Sequence, residues 1–248
     1  MAVTVAWEGG FGGPGGEEGW RMLLALREAR VVARSRTTST EAGLLDLPGG
    51  PVAVHRKTYS YRGLGAMLSG AFRTTFAAKG RGRREAEALG RLAGLGLAPP
   101  VVALAERRSA GFLLESILAV RTVEGGAGLD GAQPSADLAA AVGAAAAAMH
   151  AAGFGDLSLG PRNLVVARGP GGWTVAKVDS GSMRTVARGG PEQAADLADL
   201  LAGLEGRWDA AALEAIRKAY VAKMGALPKR LEEEMAAARK RRERRRRV

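Results

Sequence analysis

The sequence predicts an α+β protein in which a strand-rich N-terminal lobe precedes a helical C-terminal lobe. The apolar runs of the first half are short and separated by turn-forming residues, which is typical of antiparallel strands. In residues 192–238 the apolar positions recur instead at helical spacing, with Leu197, Leu200, Leu201 and Leu204 on one face. Strands and helices do not alternate along the chain, so a doubly wound parallel sheet is disfavoured.

Composition divides the chain into four segments. Residues 1–19 contain the glycine cluster of residues 9–16 and are predicted to be a flexible leader, because no convincing strand precedes the cluster as it would in a phosphate-cradling loop. Residues 20–118 are predicted to form the N-terminal lobe and residues 119–238 the C-terminal lobe. Residues 239–248 form a basic tail.

Turns and helix signals give the order of the elements. Gly96 and the pair Pro99-Pro100 end one helix, and Pro134-Ser135 begins the next, which Gly153 closes. The first three predicted strands are joined by tight connections and form an antiparallel meander. Strands are predicted at residues 30–34, 44–47, 52–59, 101–104, 111–118, 164–166 and 174–178.

Composition also excludes several classes of site. The chain has 248 residues, of which 47% are apolar, and this is enough for a sizeable core. It contains no cysteine and only the histidines His55 and His150, which excludes disulfides, thiolate zinc sites, cysteine nucleophiles and histidine-rich metal sites. The longest apolar run, residues 138–149, is shorter than the roughly 20 residues that span a bilayer. No secretory leader is visible, so we expect a cytoplasmic protein.

Two charged residues of the N-terminal lobe suit the binding of phosphates. Phosphoryl transfer needs a cation on the phosphates, oxygen ligands for Mg²⁺ and a base near the acceptor hydroxyl. Lys57, in the third strand, could reach the phosphates of a nucleotide, and Glu85, early in the following helix, could pair with Lys57 and orient its ammonium. Each residue also has a plainer interpretation, as an exposed strand lysine and as a glutamate favoured by the helix dipole.

Three polar residues of the C-terminal lobe follow one another in an order that suits magnesium chemistry. Asp156 lies in the loop after a helix, Asn163 leads directly into a strand, and Asp179 ends the second strand of a hairpin. Carboxylate and amide oxygens are ligands that Mg²⁺ accepts. Taken singly, the loop aspartate and asparagine could equally make Asx turns, but the ordered set is more specific than any member.

This set is similar to two motifs of the protein-kinase-like superfamily, the catalytic loop H-R-D-L-x-x-x-N and the metal loop D-F-G. The wider chain resembles the lipopolysaccharide kinase family, the bacterial Kdo and heptose kinases, over roughly residues 20–205. The stretches that carry the resemblance are VHRKTYSYRGL (54–64), RGRREAEALGRLAGLGLAPP (81–100), LLESI (113–117), MHAAGFGDLSLGPRNLVV (149–166) and KVDSGSM (177–183).

The resemblance implies a protein-kinase-like bilobal fold, with an antiparallel-sheet N-terminal lobe that carries one main helix and a compact helical C-terminal lobe. It implies that the chain binds ATP and Mg²⁺ between the lobes and transfers the γ-phosphoryl group to a sugar hydroxyl. Lys57 would then contact the nucleotide phosphates with Glu85 as its partner. Asp156 would be the catalytic base, and Asn163 and Asp179 would hold Mg²⁺.

The resemblance also implies nucleotide contacts in two further segments. The run Glu115-Ser116-Ile117 would form the hinge between the lobes, whose backbone binds adenine. The loop of residues 35–40, which includes Thr37 and Thr38, would cover the phosphates. Because this loop lacks G-x-G-x-x-G, hydroxyl groups and backbone amides would have to make those contacts.

The sequence departs from the family pattern in the catalytic segment. Phe154-Gly155 replaces the histidine and the basic or small residue before the catalytic aspartate, and the metal loop Asp179-Ser180-Gly181 lacks the aromatic residue. Asp156 and Asn163 are seven positions apart where the pattern has five, which we interpret as an insertion of Gly160-Pro161 that bulges from the loop. A catalytically inactive pseudokinase that acts as a binding module is therefore an alternative function.

The acceptor is expected to be a small molecule or a glycolipid sugar. After Asp179 only residues 180–248 remain, and they lack the A-P-E segment with which a protein kinase builds its peptide platform. Within the resemblance, the acceptor would be a lipopolysaccharide-type glycolipid at the inner face of the cytoplasmic membrane. The sequence does not determine the oligomeric state.

The net charge of +11 is concentrated in the tail, where Arg239–Arg247 contains eight basic residues and one glutamate. Three interpretations are open for this tail: a solvated disordered end, adsorption to an anionic membrane surface, and non-specific binding of nucleic acid. The disordered end is slightly favoured. A basic nucleic-acid-binding protein is the second alternative function, and it is disfavoured because the basic residues do not spread over a folded face.

Overall fold

A computed structural model describes residues 1–61 and 79–246. The chain divides into two compact units, of which the first comprises Met1–Gly90 and Pro99–Thr122 and the second comprises Arg91–Ala98 and Val123–Val248. Two parts of the sequence interpretation lie outside the described residues, namely positions 62–64 of the first motif stretch and Arg247 of the tail.

The first unit is built on a six-stranded antiparallel sheet with the strand order β1-β5-β6-β4-β3-β2. This sheet confirms the strand-rich N-terminal lobe. The strands that were predicted are longer than expected, because residues flanking the apolar runs also pair with a neighbouring strand. The strands are β1 (Ala2–Trp7), β2 (Arg27–Arg34), β3 (Thr38–Leu47), β4 (Gly50–Ser60), β5 (Val101–Ser109) and β6 (Phe112–Arg121).

Two helices of the first unit contact opposite faces of β4. Helix α1 (Gly16–Leu24) places Trp20 and Leu23 in an apolar cluster with Val54 of β4 and Ile117 of β6. Helix α2 (Arg81–Ala93) lies against the other face, where Gly82 allows close approach. A Cβ at Gly82 would lie 2.7 Å from Ser116 Oγ and 3.4 Å from a ring carbon of Tyr59.

The N-terminal segment differs from the predicted flexible leader of residues 1–19. Residues 2–7 form β1, which pairs along its whole length with β5. The glycine cluster then makes the turn into α1, with positive φ angles of 61° at Gly9 and 81° at Gly10. Trp7 Nε1 donates a hydrogen bond to Pro14 O at 3.0 Å and holds the turn against the strand. Val3, Val5 and Trp7 alternate with more exposed residues along this strand, a period-2 pattern that the sequence interpretation overlooked beside the glycine cluster.

The second unit is mainly helical and contains two small sheets. Its helices α3, α4 and α5 share an apolar core with the hairpin of β9 and β10. The hydroxyl of Ser135 caps α3 by accepting a hydrogen bond from Leu138 N at 3.2 Å, as its position before the helix predicts. The elements are β7 (Ala127–Gly128), α3 (Ala136–Ala151), β8 (Phe154–Gly155), β9 (Leu164–Gly169), β10 (Gly172–Lys177), β11 (Arg184–Thr185), α4 (Pro191–Leu204), α5 (Ala210–Met224) and α6 (Leu231–Arg246).

The basic tail is helical as far as the structure describes it, which corrects the expectation of a disordered end. Helix α6 continues to Arg246 and runs beside α4. Arg239 donates two hydrogen bonds to Glu205, of 2.9 Å and 2.6 Å, and Arg241 pairs with Asp199 at 2.9 Å. The hydrogen bonds and charge of Arg239 hold the pKa of the Glu205 carboxyl below its ordinary value. These acidic partners on and beside α4 were not recognised from the sequence.

Among residues 1–61 and 79–246, no helix combines the length and the apolar composition that crossing a bilayer requires.

The crossing of α3 and α5 predicts opposite effects for two glycine-to-alanine substitutions. A Cβ at Gly143 would collide with the carbonyl oxygen of Ile216, so Gly143→Ala should lower the free energy of unfolding by about 2 kcal/mol. Gly90 in α2 is exposed and has no atom within 4 Å of an added Cβ, so Gly90→Ala should be neutral or stabilising by up to ~1 kcal/mol. Thermal unfolding followed by circular dichroism compares the two variants. Equal stability of both variants would contradict this helix crossing.

Candidate functional site

Lys57 and Glu85 form an ion pair within the first unit. Lys57 Nζ lies 2.9 Å and 3.2 Å from the two carboxylate oxygens of Glu85, and the Tyr59 hydroxyl also donates to Glu85 Oε2. Glu85 is 3% exposed, so this carboxylate is held by two donors from β4 in a largely dry environment. The Lys57 ammonium is thereby fixed beside the Glu85 carboxylate, and 19% of the Lys57 side chain is exposed.

Arg56, the neighbour of Lys57, serves a different purpose. Successive side chains of a strand point to opposite faces, and Arg56 lies on the face that α1 covers. Its guanidinium donates to the carbonyl oxygens of Leu23 and Leu24 at 2.8 Å and 2.6 Å and pairs with Glu41. A cation on the last carbonyls of α1 satisfies the helix end and complements its dipole. Lys57, and not Arg56, therefore faces α2 and Glu85.

The predicted hinge, Glu115-Ser116-Ile117, lies inside β6 and requires a correction. Its residues are paired with β4 on one side and with β5 on the other. Strand pairing on both edges occupies the backbone groups of this run, so they are not available to adenine. The strand continues to Arg121, and the chain leaves the first unit after Thr122. Ala119, Val120 and Arg121 extend the strand beyond residue 118, where the sequence interpretation ended it.

The predicted phosphate-covering loop of residues 35–40 is a short hairpin turn in the structure. Thr38 already begins β3 opposite Tyr59, and its backbone N–H donates to Ser35 Oγ at 3.1 Å. Thr37 is exposed, and its carbonyl oxygen accepts from Ser60 N at 2.9 Å. Thr37 and Thr38 are thus placed at one end of the β3–β4 pair, and their contact with phosphates stays a prediction.

Asp156 is fully buried in the second unit, directly after β8. Its Oδ2 accepts a hydrogen bond from Ser158 Oγ at 2.8 Å and lies 3.1 Å from Lys177 Nζ. Its backbone N–H donates to Asp196 Oδ2 of α4 at 2.6 Å. Side chain and backbone of Asp156 are therefore fixed by three different parts of the chain, the loop itself, β10 and α4.

The environment of Asp156 changes the pKa of its carboxyl in two opposing ways. Burial raises the pKa of the Asp156 carboxyl above its ordinary value, although the charge of Lys177 and the hydrogen bond from Ser158 act in the opposite direction and the charge of Asp196 adds to the rise. Oδ1 is buried and accepts no hydrogen bond from any residue that the structure describes. One oxygen of the carboxylate is thus anchored and the other is available to a proton.

Asn163 closes the same loop, and the two extra residues do not bulge into solvent. Asn163 Nδ2 donates to Ser158 O at 2.8 Å, and its backbone N–H donates to Gly160 O at 2.9 Å. Pro161 is buried and packs on Gly203 of α4, where an added Cβ would collide with the proline ring. The interpretation of Gly160-Pro161 as a bulge is therefore corrected, because a turn of 3₁₀ helix at residues 161–163 takes up the extra length.

Lys177 connects the two aspartates of the site and was missed from the sequence. Its ammonium donates to the backbone carbonyl of Asp179 as well as lying beside Asp156, and the residue is 3% exposed. Asp179 lies two positions after the end of β10 and is partly buried. The available signal was a single lysine at the end of the apolar strand Val175-Ala176, two positions before the aspartate.

A buried polar chain behind Asp156 was also missed. Asp196 Oδ2 lies 3.5 Å from His150 Nε2, and His150 Nδ1 is 2.8 Å from the Tyr220 hydroxyl. Burial, and secondarily the charge of Asp196, raises the pKa of the Tyr220 phenol, which therefore keeps its proton. The chain links α3, α4 and α5 beneath the loop. Nothing local in the sequence marks these residues, because their partners are distant along the chain.

The oxygen donors of the second unit fit a magnesium ion that arrives with phosphates. Within the described ranges no group of three His, Cys, Asp or Glu side chains could hold a metal by itself. With its amide nitrogen anchored on Ser158, Asn163 keeps its Oδ1 as an acceptor, and Asp179 supplies a carboxylate. Mg²⁺ is commonly bound by one or two carboxylates together with substrate phosphates, so this small donor set is compatible with that mode of binding.

Comparison with known proteins identifies a fold and no sequence family. No protein-family model matches the chain, and no curated protein matches it. Among solved structures, the chain is similar to WaaP in complex with acyl carrier protein, with a TM-score of 0.60, 18% sequence identity and 90% of each chain covered. The chain has a protein-kinase-like bilobal fold. At 18% identity this similarity concerns the fold, and the predicted roles of the site residues stay predictions.

The buried pair Asp156–Lys177 predicts a pH-dependent loss of stability in Lys177→Met. Removing the lysine leaves a buried carboxylate without its cation, which should lower the free energy of unfolding by about 3–5 kcal/mol at pH 7. The folded-state pKa of Asp156 is already raised and would rise further, so the loss should shrink as the pH falls and the carboxyl takes up a proton in the folded state. Urea unfolding at pH 7 and pH 5 measures the difference.

Two further variants test this interpretation of Lys177→Met. The double variant Asp156→Asn/Lys177→Met buries no charge at this position and should recover most of the lost stability at pH 7. Lys218 is exposed on α5, so Lys218→Met should change the free energy of unfolding by no more than about 0.5 kcal/mol. A loss for Lys177→Met that is the same at both pH values would contradict the assignment.

Proposed function

We propose that the chain is an ATP-dependent kinase that transfers the γ-phosphoryl group to a sugar hydroxyl of a small molecule or a lipopolysaccharide-type glycolipid. The observation that carries the proposal is the Lys57–Glu85 ion pair at 2.9 Å. Two residues that are 28 positions apart, on a strand and on a helix, meet in the arrangement that phosphoryl transfer requires of a phosphate-binding lysine and its orienting carboxylate.

The fold supports a kinase at the general level. WaaP, a lipopolysaccharide core heptose kinase, shares this fold over 90% of both chains. The motif resemblance to lipopolysaccharide kinases rests on a separate observation. It depends on the order along the sequence of Lys57, Glu85, Asp156, Asn163 and Asp179. A fold and a motif order that point to the same class of enzyme make a sugar acceptor the preferred hypothesis.

Each site residue has a role in the proposed reaction. Lys57, oriented by Glu85, binds phosphate oxygens of ATP. Asn163 and Asp179 hold Mg²⁺, which neutralises phosphate charge when it is bound. Asp156 accepts the proton of the acceptor hydroxyl at Oδ1, the oxygen that no other described residue occupies.

The proton transfer to Asp156 accompanies the displacement at phosphorus. The acceptor oxygen forms a bond to the γ-phosphorus, the bond from this phosphorus to the bridging oxygen breaks, and ADP leaves with the electron pair. Since the pKa of Asp156 is raised by burial, its carboxylate is a stronger base than an exposed aspartate. Ser158 and Lys177 keep Oδ2 in place during this transfer.

Calorimetry of ATP binding tests the nucleotide and metal sites. Asp179→Ala should weaken ATP binding by at least about tenfold in the presence of Mg²⁺ and should change it little in the presence of EDTA, because only the metal-dependent part is lost. Lys57→Met should weaken binding under both conditions. The matched controls are Asp137→Ala and Lys218→Met, which remove exposed residues of α3 and α5 and should bind like the wild type. If the wild type binds no ATP, the proposal is wrong.

Asp156→Asn separates binding from chemistry. The amide preserves the shape of the side chain but cannot take up the hydroxyl proton, so Mg·ATP binding should persist while turnover falls by about 10²–10⁴-fold. Turnover is measured as ADP release in single-turnover and steady-state assays, and thermal unfolding checks that the variant is folded. A wild type that binds Mg·ATP without any turnover would favour the inactive pseudokinase.

A further inference from the structure

A cavity of about 400 Å³ lies in the second unit, beside the loop that carries Asp156 and Asn163. One wall is the loop itself, including Leu157, Ser158 and Arg162. The opposite walls come from α4 and from α6, the helix that contains the basic end of the chain. The volume falls within the roughly 300–1,000 Å³ of small-molecule sites. We call this cavity the basic pocket.

Positive charge dominates the basic pocket. Its lining contains Arg162, Arg207, Arg241 and Arg242 but only two carboxylates, those of Asp130 and Asp199. A guanidinium group keeps its charge at all physiological pH values and presents a planar set of N–H donors that fits phosphate and carboxylate oxygens. The lining is therefore complementary to an anionic group.

Most of these arginines are held in place before any ligand arrives. Arg207 donates to the backbone carbonyl of Asp130 at 2.5 Å. Arg241 pairs with Asp199 Oδ1 at 2.9 Å, and Arg242 donates to the carbonyl of Asp199 at 3.5 Å. Fixing the donors in advance reduces the entropy that binding would otherwise cost.

Arg162 is the exception among the four. It is exposed, and within residues 1–61 and 79–246 it makes no hydrogen bond or ion pair. It follows Pro161, whose ring is docked on α4 at Gly203, so its backbone is fixed although its guanidinium is not engaged. A side chain at position 203 would collide with Pro161 and with the guanidinium of Arg242. The glycine thus allows Pro161 and Arg242 to pack closely against α4.

The basic pocket is directly coupled to the proposed catalytic base. Ser158 lines the pocket, and its hydroxyl donates to Asp156 Oδ2 at 2.8 Å. Asn163 lines it as well. A molecule bound in the pocket would therefore lie beside Ser158, the residue whose hydroxyl holds Asp156 Oδ2.

We propose that the basic pocket binds the acceptor through an anionic substituent on a sugar, a phosphate monoester or a carboxylate, with Arg162 and Arg241 as principal contacts. This inference rests on the proposed function, since it supplies the hydroxyl that the kinase would phosphorylate. The charge of the lining selects an acidic sugar over a neutral one, and the size of the cavity suits one sugar unit.

Calorimetric titration with mannose 6-phosphate and with mannose, both without nucleotide, tests the proposal. The phosphorylated sugar should bind and neutral mannose should not. Arg162→Gln and Arg241→Gln should each weaken binding of mannose 6-phosphate by about tenfold, the effect of losing one charge-assisted contact. Arg244→Gln is the matched control: it removes one charge from the same helix at an exposed position outside the pocket and should alter binding by less than about twofold. Thermal unfolding verifies that all variants are folded.

Several outcomes would overturn the assignment. Equal binding of mannose, or an equal loss in Arg244→Gln, would show that the pocket does not select the anion. Binding to vesicles of phosphatidylglycerol with no binding of mannose 6-phosphate would assign the arginines to a lipid headgroup instead. The two proposals fail separately, because Mg·ATP binding by the wild type is measured in the absence of sugar. Binding of mannose 6-phosphate without binding of ATP would support the assignment of the basic pocket and contradict the proposed kinase activity. Binding of ATP without binding of mannose 6-phosphate would contradict only the assignment of the pocket.

Discussion

Asp156 and Lys177 form an ion pair 3.1 Å apart that is almost entirely removed from solvent, and the geometry of the second unit's site depends on it. Taking a carboxylate and an ammonium out of water costs several kcal/mol per ion, so the pair is stable only where further hydrogen bonds complete it. Ser158 supplies one to Asp156, and the backbone of Asp179 accepts one from Lys177. The requirement to satisfy two buried charges thus fixes the loop of Asp156, the end of β10 and the backbone of Asp179 in one arrangement.

The same requirement explains the backbone of the loop. Leu157 has a φ of 58°, a left-handed conformation that costs a residue with a side chain roughly 1–2 kcal/mol. This conformation lets the Ser158 hydroxyl reach Asp156 Oδ2 and leaves the leucine at the surface of the basic pocket. Asp196 holds the Asp156 amide from α4, and His150 and Tyr220 support Asp196 from the neighbouring helices. The local strain is therefore offset by contacts with three helices.

The sequence predicted the parts of this protein that depend on local order, and it missed those that depend on distant partners. The positions of Lys57 and Glu85 on a strand and the next helix could be read from turn and helix signals, and the structure brings these residues together. Asp196 carries no local signal, and the only signal for Lys177 is its place at a strand end, because each is explained by a residue that the fold places beside it. The hinge was misplaced for a different reason: the apolar run of β6 does not mark where the strand ends.

The basic end of the chain shows how position changes the meaning of charge. As sequence, Arg239–Arg247 is a block of like charges, which is typical of a solvated tail. In the structure Arg239 pairs with Glu205, directly after α4, and Arg241 pairs with Asp199 within α4. Arg241 and Arg242 of α6 then line the basic pocket together with the loop of residues 157–163. Along this loop Asp156 is buried, whereas Arg162 is exposed and lines the basic pocket. An anionic substituent held by Arg162 would set the distance between the acceptor hydroxyl and Asp156 Oδ1, so binding energy from a non-reacting part of the substrate would serve to orient the reacting part.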